Sequence, residues 1–288
     1  MGYTHIDVSA PNNFAIGAKG SEVVIAGASG ALYQKGTEIT SSAAELNIMD
    51  GVTAIATELN ALDFSTKVTM ATDFNGDLLD GTTELLGTAG SGTGNAVAIA
   101  AGESGNCSIT TSSADAAIGA NGSGLSGSNL NWRADSGGLF AECRLQINNI
   151  TSAMIFFGFT DATSATVEAP LFLVTTAIDS DAADACGIIF DTDGTTAQWC
   201  HGGTKAGTDT APAYSGTAPV NATDVTLRVE VSALGGVRGY INGTAIGVEV
   251  AAAVTITTPL VPIIFVANRT TSARVVLVDY LFVQSNRR

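Results

Sequence analysis

Residues 225–231 read Val-Thr-Leu-Arg-Val-Glu-Val and are followed, at residues 240–244, by Tyr-Ile-Asn-Gly-Thr. The first stretch alternates apolar with polar side chains, which is typical of a strand with one buried and one solvated face. The Asn-Gly pair in the second stretch favours a type I′ turn, which joins antiparallel strands. Together the two stretches predict antiparallel β structure in the C-terminal half of the chain.

Comparable apolar runs, separated by turn signals, recur from residue 129 to residue 286. They predict about ten short strands, at residues 138–147, 153–159, 171–175, 187–190, 196–200, 225–231, 237–241, 244–250, 260–266 and 274–283. No long helical pattern interrupts them, which indicates an antiparallel sandwich. The sequence therefore predicts a mainly β fold whose C-terminal domain, residues 129–288, is a jelly-roll β-sandwich.

Composition divides the part of the chain before this domain. Residues 71–128 are rich in Gly, Ser, Thr, Asn and Ala, which bury little apolar area, so we expect a neck with short strands at residues 95–101 and 107–111. Residues 1–40 alternate apolar and polar positions between Gly turns and predict a small β module. This module is too short for a strong core, so we interpret it as an anchor that docks on a partner.

A 13-residue repeat lies between these two parts: Ala-Glu-Leu-Asn-Ile-Met-Asp at residues 44–50 returns as Thr-Glu-Leu-Asn-Ala-Leu-Asp at residues 57–63. Each unit predicts a helix of one or two turns, which is marginal alone in water. Its apolar side chains must therefore be buried elsewhere, most simply by identical segments around a symmetry axis. We expect the helical residues 41–70 to form trimer contacts through Leu46, Met49, Val52, Leu59 and Leu62.

The repeated Glu-Leu-Asn-x-x-Asp pattern, at residues 45–50 and 58–63, resembles the short repeats of tailed-bacteriophage head fibres, decoration proteins and tail fibres, which are commonly trimeric. The openings at residues 3–8 and 17–22 are similar to N-termini of such virion proteins. The resemblance implies a structural protein that is made in the bacterial cytoplasm and decorates the virion head as a homotrimer bound to the major capsid protein. The residues that we expect to dock on the capsid are Ile6, Val8, Phe14 and Ile16.

Residues 228–231, 239–244 and 278–283 follow one another in the order seen in concanavalin-like, or laminin-G-like, jelly rolls. That fold includes lectins, lyases, hydrolases and structural modules, so the resemblance implies the fold and leaves the function open. Two alternatives to capsid decoration therefore stand: a tail fibre or adhesin that binds host surface glycan, and a polysaccharide-degrading enzyme.

The spacing of the acidic residues in the sequence argues against a polysaccharide-degrading enzyme. A glycoside hydrolase needs two carboxylates on either side of the scissile bond. Glu142, Glu168, Glu230 and Glu249 are isolated in the sequence, and the closely spaced acids lie in apparent turns: Asp179, Asp181, Asp184, Asp191 and Asp193. We therefore predict no catalytic residues, no cofactor and no enzymatic activity.

Four aromatic residues either pack in the core or form a platform on which sugars stack: Trp132, Trp199, Tyr214 and Tyr240.

Net charge and cysteine spacing argue against nucleic acid, membranes and zinc as binding partners. The net charge of −15 repels nucleic acid and anionic membranes, and no apolar run is long enough to span a bilayer. No pair of cysteines has the spacing of a zinc site, although Cys186 and Cys200 flank a turn and leave a disulfide open. Asp-Thr-Asp-Gly at residues 191–194 resembles the start of a calcium loop but lacks the downstream ligands, so we predict no metal site and leave calcium open.

Overall fold

The computed structural model describes residues 32–34, 37–39, 67–75, 79, 85–100, 105–113, 118–127, 131–162 and 168–287. The chain divides into two compact units, Met1–Leu62 and Asp63–Arg288. In the first unit the described residues form an antiparallel hairpin of β1 (Leu32–Gln34) and β2 (Thr37–Ile39). The predicted helices of the repeat lie outside the described residues, as do the predicted docking and trimer residues: Ile6, Val8, Phe14, Ile16, Leu46, Met49, Val52, Leu59 and Leu62.

The second unit is built almost entirely of strands. In chain order they are β3 (Lys67–Thr72), β4 (Leu85–Ala89), β5 (Ala96–Ala100), β6 (Asn106–Thr110), β7 (Ser123–Gly127), β8 (Leu139–Ile147), β9 (Ala153–Thr160), β10 (Phe172–Val174), β11 (Ala177–Asp179), β12 (Ala185–Asp191), β13 (Cys200–Lys205), β14 (Thr208–Asp209), β15 (Ala213–Tyr214), β16 (Asp224–Val231), β17 (Val237–Ile241), β18 (Thr244–Ala245), β19 (Val261–Asn268) and β20 (Val275–Asn286). One turn of α-helix, α1 (Ile118–Asn121), and one 3-10 turn at Ala134–Ser136 complete the described elements. Neither of these described helices is long enough to cross a membrane.

The strands form two antiparallel sheets that pack face to face, which confirms the predicted mainly β sandwich. Sheet I has the order β14-β13-β12-β9-β19-β7-β4, with β15 also paired to β13. Sheet II has the order β18-β17-β16-β8-β20-β6-β5, with β3 paired to β20. Residues from both sheets form one continuous hydrophobic core between them.

The central strands of sheet I are buried on both faces. Every residue of β9 and of β12 is buried, because their alternate side chains point into the inter-sheet core and into a second cluster outside the sheet. The hairpin of β10 and β11 forms that outer layer, with Leu173 and Ile178 packed near Phe156. Burial on both sides explains why these central strands are continuous apolar runs in the sequence.

Sheet II has one buried and one solvated face. Along β8 the buried side chains are Leu139, Ala141, Cys143, Leu145 and Ile147, and the residues between them point outward. The same alternation holds along β16, as its sequence predicts. The register of β20 on β8 shifts between Val278 and Tyr280, and this bulge places both Asp279 and Tyr280 on the outer face.

The structure differs from the expected neck at residues 71–128. Strands β4 and β7 belong to sheet I, and β5 and β6 belong to sheet II. Small residues fit there because the backbone lies close to a large neighbour: a Cβ on Gly122 would meet the ring of Phe265 at 2.2 Å. Two strand positions also differ, since β13 begins only at Cys200 and β18 spans two residues of the predicted 244–250 run.

All four cysteines lie within the described residues and are buried free thiols. Cys186 is opposite Gly203 and Cys200 is opposite Ile189, so the two cysteines are not cross-strand partners. Cys186 points into the inter-sheet core and Cys200 into the outer cluster. The disulfide that the sequence left open is therefore excluded by the pleat of the sheet.

Candidate functional site

The outer face of sheet II carries a dense cluster of polar and aromatic side chains. Four adjacent strands supply it, and their register arranges the side chains in rows across the sheet. One row contains Tyr240, Arg228, Glu142 and Phe282. The next row contains Arg238, Glu230, Phe140 and Gln284. Cross-strand neighbours on one face lie within contact distance, so the rows form a single surface.

Arg228 lies at the centre of this surface. Its Nη2 is 2.7 Å from Oε1 of Glu230, and its Nη1 is 3.8 Å from Oε2 of Glu142. The guanidinium also lies over the ring of Phe140, 4.0 Å from the ring centroid. Arg228 therefore contacts two carboxylates and one aromatic ring.

A tyrosine hydroxyl donates to each of the two carboxylates. Tyr240 donates to Oε2 of Glu230 at 2.9 Å, and Tyr280 donates to Oε1 of Glu142 at 2.7 Å. Burial, together with the neighbouring carboxylate, raises the pKa of both tyrosines above the ordinary value. The hydroxyls therefore remain protonated donors, and each glutamate is oriented from two sides.

Aromatic rings line the same surface. Phe140 and Phe282 stand next to each other with ring centroids 5.5 Å apart and an interplanar angle of 31°. Both rings are partly exposed, as are those of Tyr240 and Tyr280. The surface thus alternates apolar ring faces with fixed hydrogen-bonding groups.

Among the described residues, three open depressions lie on this face. The first, of about 410 Å³, is lined by residues that include Lys67, Phe140, Arg228, Arg238 and Glu249. The second, of about 400 Å³, includes Tyr280 and Phe282. The third, of about 240 Å³, surrounds Arg144, which is 2.6 Å from Oδ2 of Asp224. Within the part of the chain that the structure describes, this face therefore offers several open depressions.

The structure brings together acids that the sequence left isolated. Glu142 and Glu230 are on the adjacent strands β8 and β16 and share Arg228, whereas Glu249 lines the neighbouring depression. The proposed aromatic platform is not formed as a set, because Trp132 and Trp199 are in the inter-sheet core. Sequence reasoning missed Phe140 and Phe282, although the alternation along β8 places Phe140 on the same face as Glu142.

The Asp191–Gly194 turn holds an arginine where a calcium loop would hold its ion. Asp191 is fully buried and pairs with Arg269, whose Nη1 also lies 3.3 Å from Oδ2 of Asp193. The Asp191 carboxylate accepts a further bond from the amide of Leu173 at 2.9 Å. Among the residues that the structure describes, no cluster of three metal-ligating side chains occurs.

Known structures share this fold. A protein of unknown function from Shewanella oneidensis is 13% identical, with a TM-score of 0.51 over 85% of this chain and 95% of its own. A β-glucanase from Bacillus licheniformis is 13% identical, with a TM-score of 0.50 over 76% of this chain and 98% of its own. A prokaryotic β-1,3-1,4-glucanase from a mouse hindgut metagenome is 8% identical, with a TM-score of 0.50 over 75% of this chain and 98% of its own.

At these identities the likeness shows the fold alone, which is the concanavalin-like jelly roll. No family model and no curated protein matches the sequence. The prediction that the chain is not an enzyme is nevertheless wrong, because the argument from isolated acidic residues does not hold in the folded chain. The fold is that of two glucanases, and two of the carboxylates that the argument treated as isolated, those of Glu142 and Glu230, both contact Arg228.

Proposed function

We propose that the outer face of sheet II binds carbohydrate. The observation that carries this proposal is the pair of partly exposed rings, Phe140 and Phe282, beside the Glu142–Arg228–Glu230 network. Sugars present apolar C–H faces and hydroxyl edges, so they need aromatic surface next to convergent polar groups. Because these polar side chains already contact one another, binding of a sugar orders few additional side chains of the protein and so costs less side-chain entropy.

We further propose that this sandwich belongs to a surface protein of a tailed-phage virion. The support is the Glu-Leu-Asn repeat at residues 44–63, together with the virion-like opening residues. In this proposal residues 1–40 dock on the major capsid protein and the repeats hold three chains together. Three sugar-binding faces on one trimer would then act with avidity on a host surface. A head fibre and a tail adhesin both satisfy this description.

A second candidate function is glycoside hydrolysis by Glu142 and Glu230. The observation that favours it is that Glu142 and Glu230 lie on the same face of the adjacent strands β8 and β16, because hydrolysis requires a pair of carboxyl groups. In this mechanism one glutamate protonates the leaving oxygen, and the other acts as a nucleophile or activates water. Release of reducing sugar from a bound polysaccharide, lost in both Glu142→Gln and Glu230→Gln, would establish it.

The binding proposal is tested on a glycan array with the wild type, two variants of the site and one control variant. We expect Phe140→Ala and Phe282→Ala each to weaken glycan binding by about tenfold, which corresponds to about 1.4 kcal/mol. Val220→Ala, at a side chain 62% exposed outside the site, is the matched control and should leave binding unchanged. Wild-type protein that binds no glycan on the array would overturn the proposal.

The virion proposal has its own test. Antibody labelling of intact particles should place many copies on the head if the chain decorates the capsid, or a few at the tail tip if it is an adhesin. Sedimentation of the purified chain should give a trimer. A monomer at all concentrations, or particles that carry no label, would contradict the proposal without affecting the binding face.

A further inference from the structure

The depression of about 410 Å³ on the outer face of sheet II is lined by three cationic and two acidic side chains. We propose that it recognises an acidic sugar, that is, a residue with one carboxylate among its hydroxyls. This inference rests on the proposed carbohydrate binding and names the class of ligand. The depression contains Lys67, Arg228 and Arg238, although the chain as a whole has a net charge of −15.

Two of these cations have no carboxylate partner among the residues that the structure describes. Other arginines pair closely, as Arg144 does with Asp224 and Arg269 with Asp191. By contrast, the Nζ of Lys67 donates to the neutral Oδ1 of Asn286 at 2.5 Å. Arg238 lies near the Tyr240 hydroxyl, and its buried Nε has no hydrogen-bond partner in the described part of the chain.

The acidic residues of the same depression further limit the class of ligand that it can bind. Glu230 is already engaged by Arg228 and Tyr240. Glu249 makes only a long contact, 3.5 Å from the hydroxyl of Ser232, within the described residues. Glu249 would repel a densely charged polyanion, but its carboxylate can accept hydrogen bonds from sugar hydroxyls. The charge pattern therefore fits a ligand with one negative charge and several hydroxyls.

Size and neighbouring groups agree with this ligand. The volume of about 410 Å³ lies within the range of roughly 300–1,000 Å³ that is usual for small-molecule sites. Phe140 contributes a ring to the same depression, so one sugar can contact the ring with its apolar face and the cations with its carboxylate. In a molecule this acidic, local cations are also needed to offset the general repulsion of an acidic glycan.

The test uses an array of uronic-acid and sialic-acid oligosaccharides, each printed beside its own methyl ester and beside neutral oligosaccharides. The methyl ester keeps the sugar rings and linkages of the oligosaccharide and removes the negative charge of its carboxylate. The ratio of acid to ester binding therefore measures recognition of that carboxylate. We expect at least a tenfold preference for one acid over its ester in the wild type. Arg238→Gln and Lys67→Gln should each reduce this ratio of acid to ester binding at least threefold.

Lys205→Gln is the matched control, because it removes the same charge from an exposed position on sheet I. Its preference for the acid should equal that of the wild type. Binding to neutral glycans and esters without preference for any acid would overturn this inference and leave the proposed carbohydrate binding intact. A preference that survives in both Arg238→Gln and Lys67→Gln would also overturn it, whereas binding to nothing on the array would overturn the underlying function.

Discussion

The hydroxyl of Tyr280 donates a 2.7 Å hydrogen bond to the carboxylate of Glu142, across strands whose residues are 138 positions apart in the chain. The bond depends on the bulge at Asp279, since a regular strand would have turned Tyr280 into the core between the sheets. One irregular residue in β20 therefore gives Glu142 its second partner besides Arg228.

Removing this donor tests its part in binding. We expect Tyr280→Phe to weaken glycan binding roughly three- to tenfold, because a hydrogen bond of this kind contributes about 0.5–1.5 kcal/mol. Isothermal titration gives the affinity and urea unfolding gives the stability, which should change by less than about 1 kcal/mol. Tyr214→Phe is the matched control, since the Tyr214 hydroxyl has no hydrogen-bond partner among the described residues. Equal affinity of Tyr280→Phe and wild type would contradict the assigned role.

The buried ion pair between Asp191 and Arg269 should be important for stability. Asp191→Ala removes the partner of Arg269 and leaves the amide of Leu173 without its acceptor, so we expect a loss of about 3–5 kcal/mol in the free energy of unfolding. Asp193→Ala is the comparison, because that side chain is 53% exposed and its loss should cost less than about 1 kcal/mol. Urea titration measures both. Similar losses of unfolding free energy in the two variants would contradict the prediction that the buried ion pair contributes more than the exposed one.

Two glycines face each other where β9 and β12 pair. A Cβ on Gly158 would lie 2.1 Å from the carbonyl oxygen of Cys186, and Gly187 is directly opposite. We expect Gly158→Ala to cost more than about 3 kcal/mol or to prevent folding, because backbone cannot move aside in a sheet buried on both faces. Gly124→Ala is the control, as its nearest neighbour would be at 3.4 Å. Circular dichroism during thermal unfolding distinguishes the two, and equal midpoints would contradict the clash.

His201 gives the fold a predictable response to pH. Burial lowers the pKa of His201 below its ordinary value of 6.5, although its Nε2 is 2.9 Å from the carbonyl oxygen of Val248. Below pH 6.5 the unfolded chain therefore binds a proton that the folded chain resists, so stability should fall as the pH falls. Unfolding in urea at pH 7.5 and pH 5.5 should show this loss in the wild type. His201→Gln should show a smaller difference between the two pH values, and an unchanged difference would exclude His201 as its source.

The alternation along β8 and β16 is sufficient to predict sheet II, because one wet face leaves a period of two in the sequence. The same period is enough to assign Glu142 and Arg228 to the solvated side of their strands. The sequence does not reveal that these residues are cross-strand neighbours, since the order of strands joins distant segments. A similar limit explains the neck: Gly122 and its neighbours have the composition of a linker, and only the fold brings Phe265 over them.

Strand β20 is hydrogen-bonded to β8 along one edge and to both β3 and β6 along the other. Sheet II consequently cannot be completed during translation until β20, which ends at Asn286, has left the ribosome. Until then the edge of β8 that pairs with β20 is unpaired, which is a condition under which nascent chains aggregate or recruit chaperones. Expression at low temperature or with added chaperone should therefore raise the soluble yield of this chain more than it would for a domain that completes its sheets early.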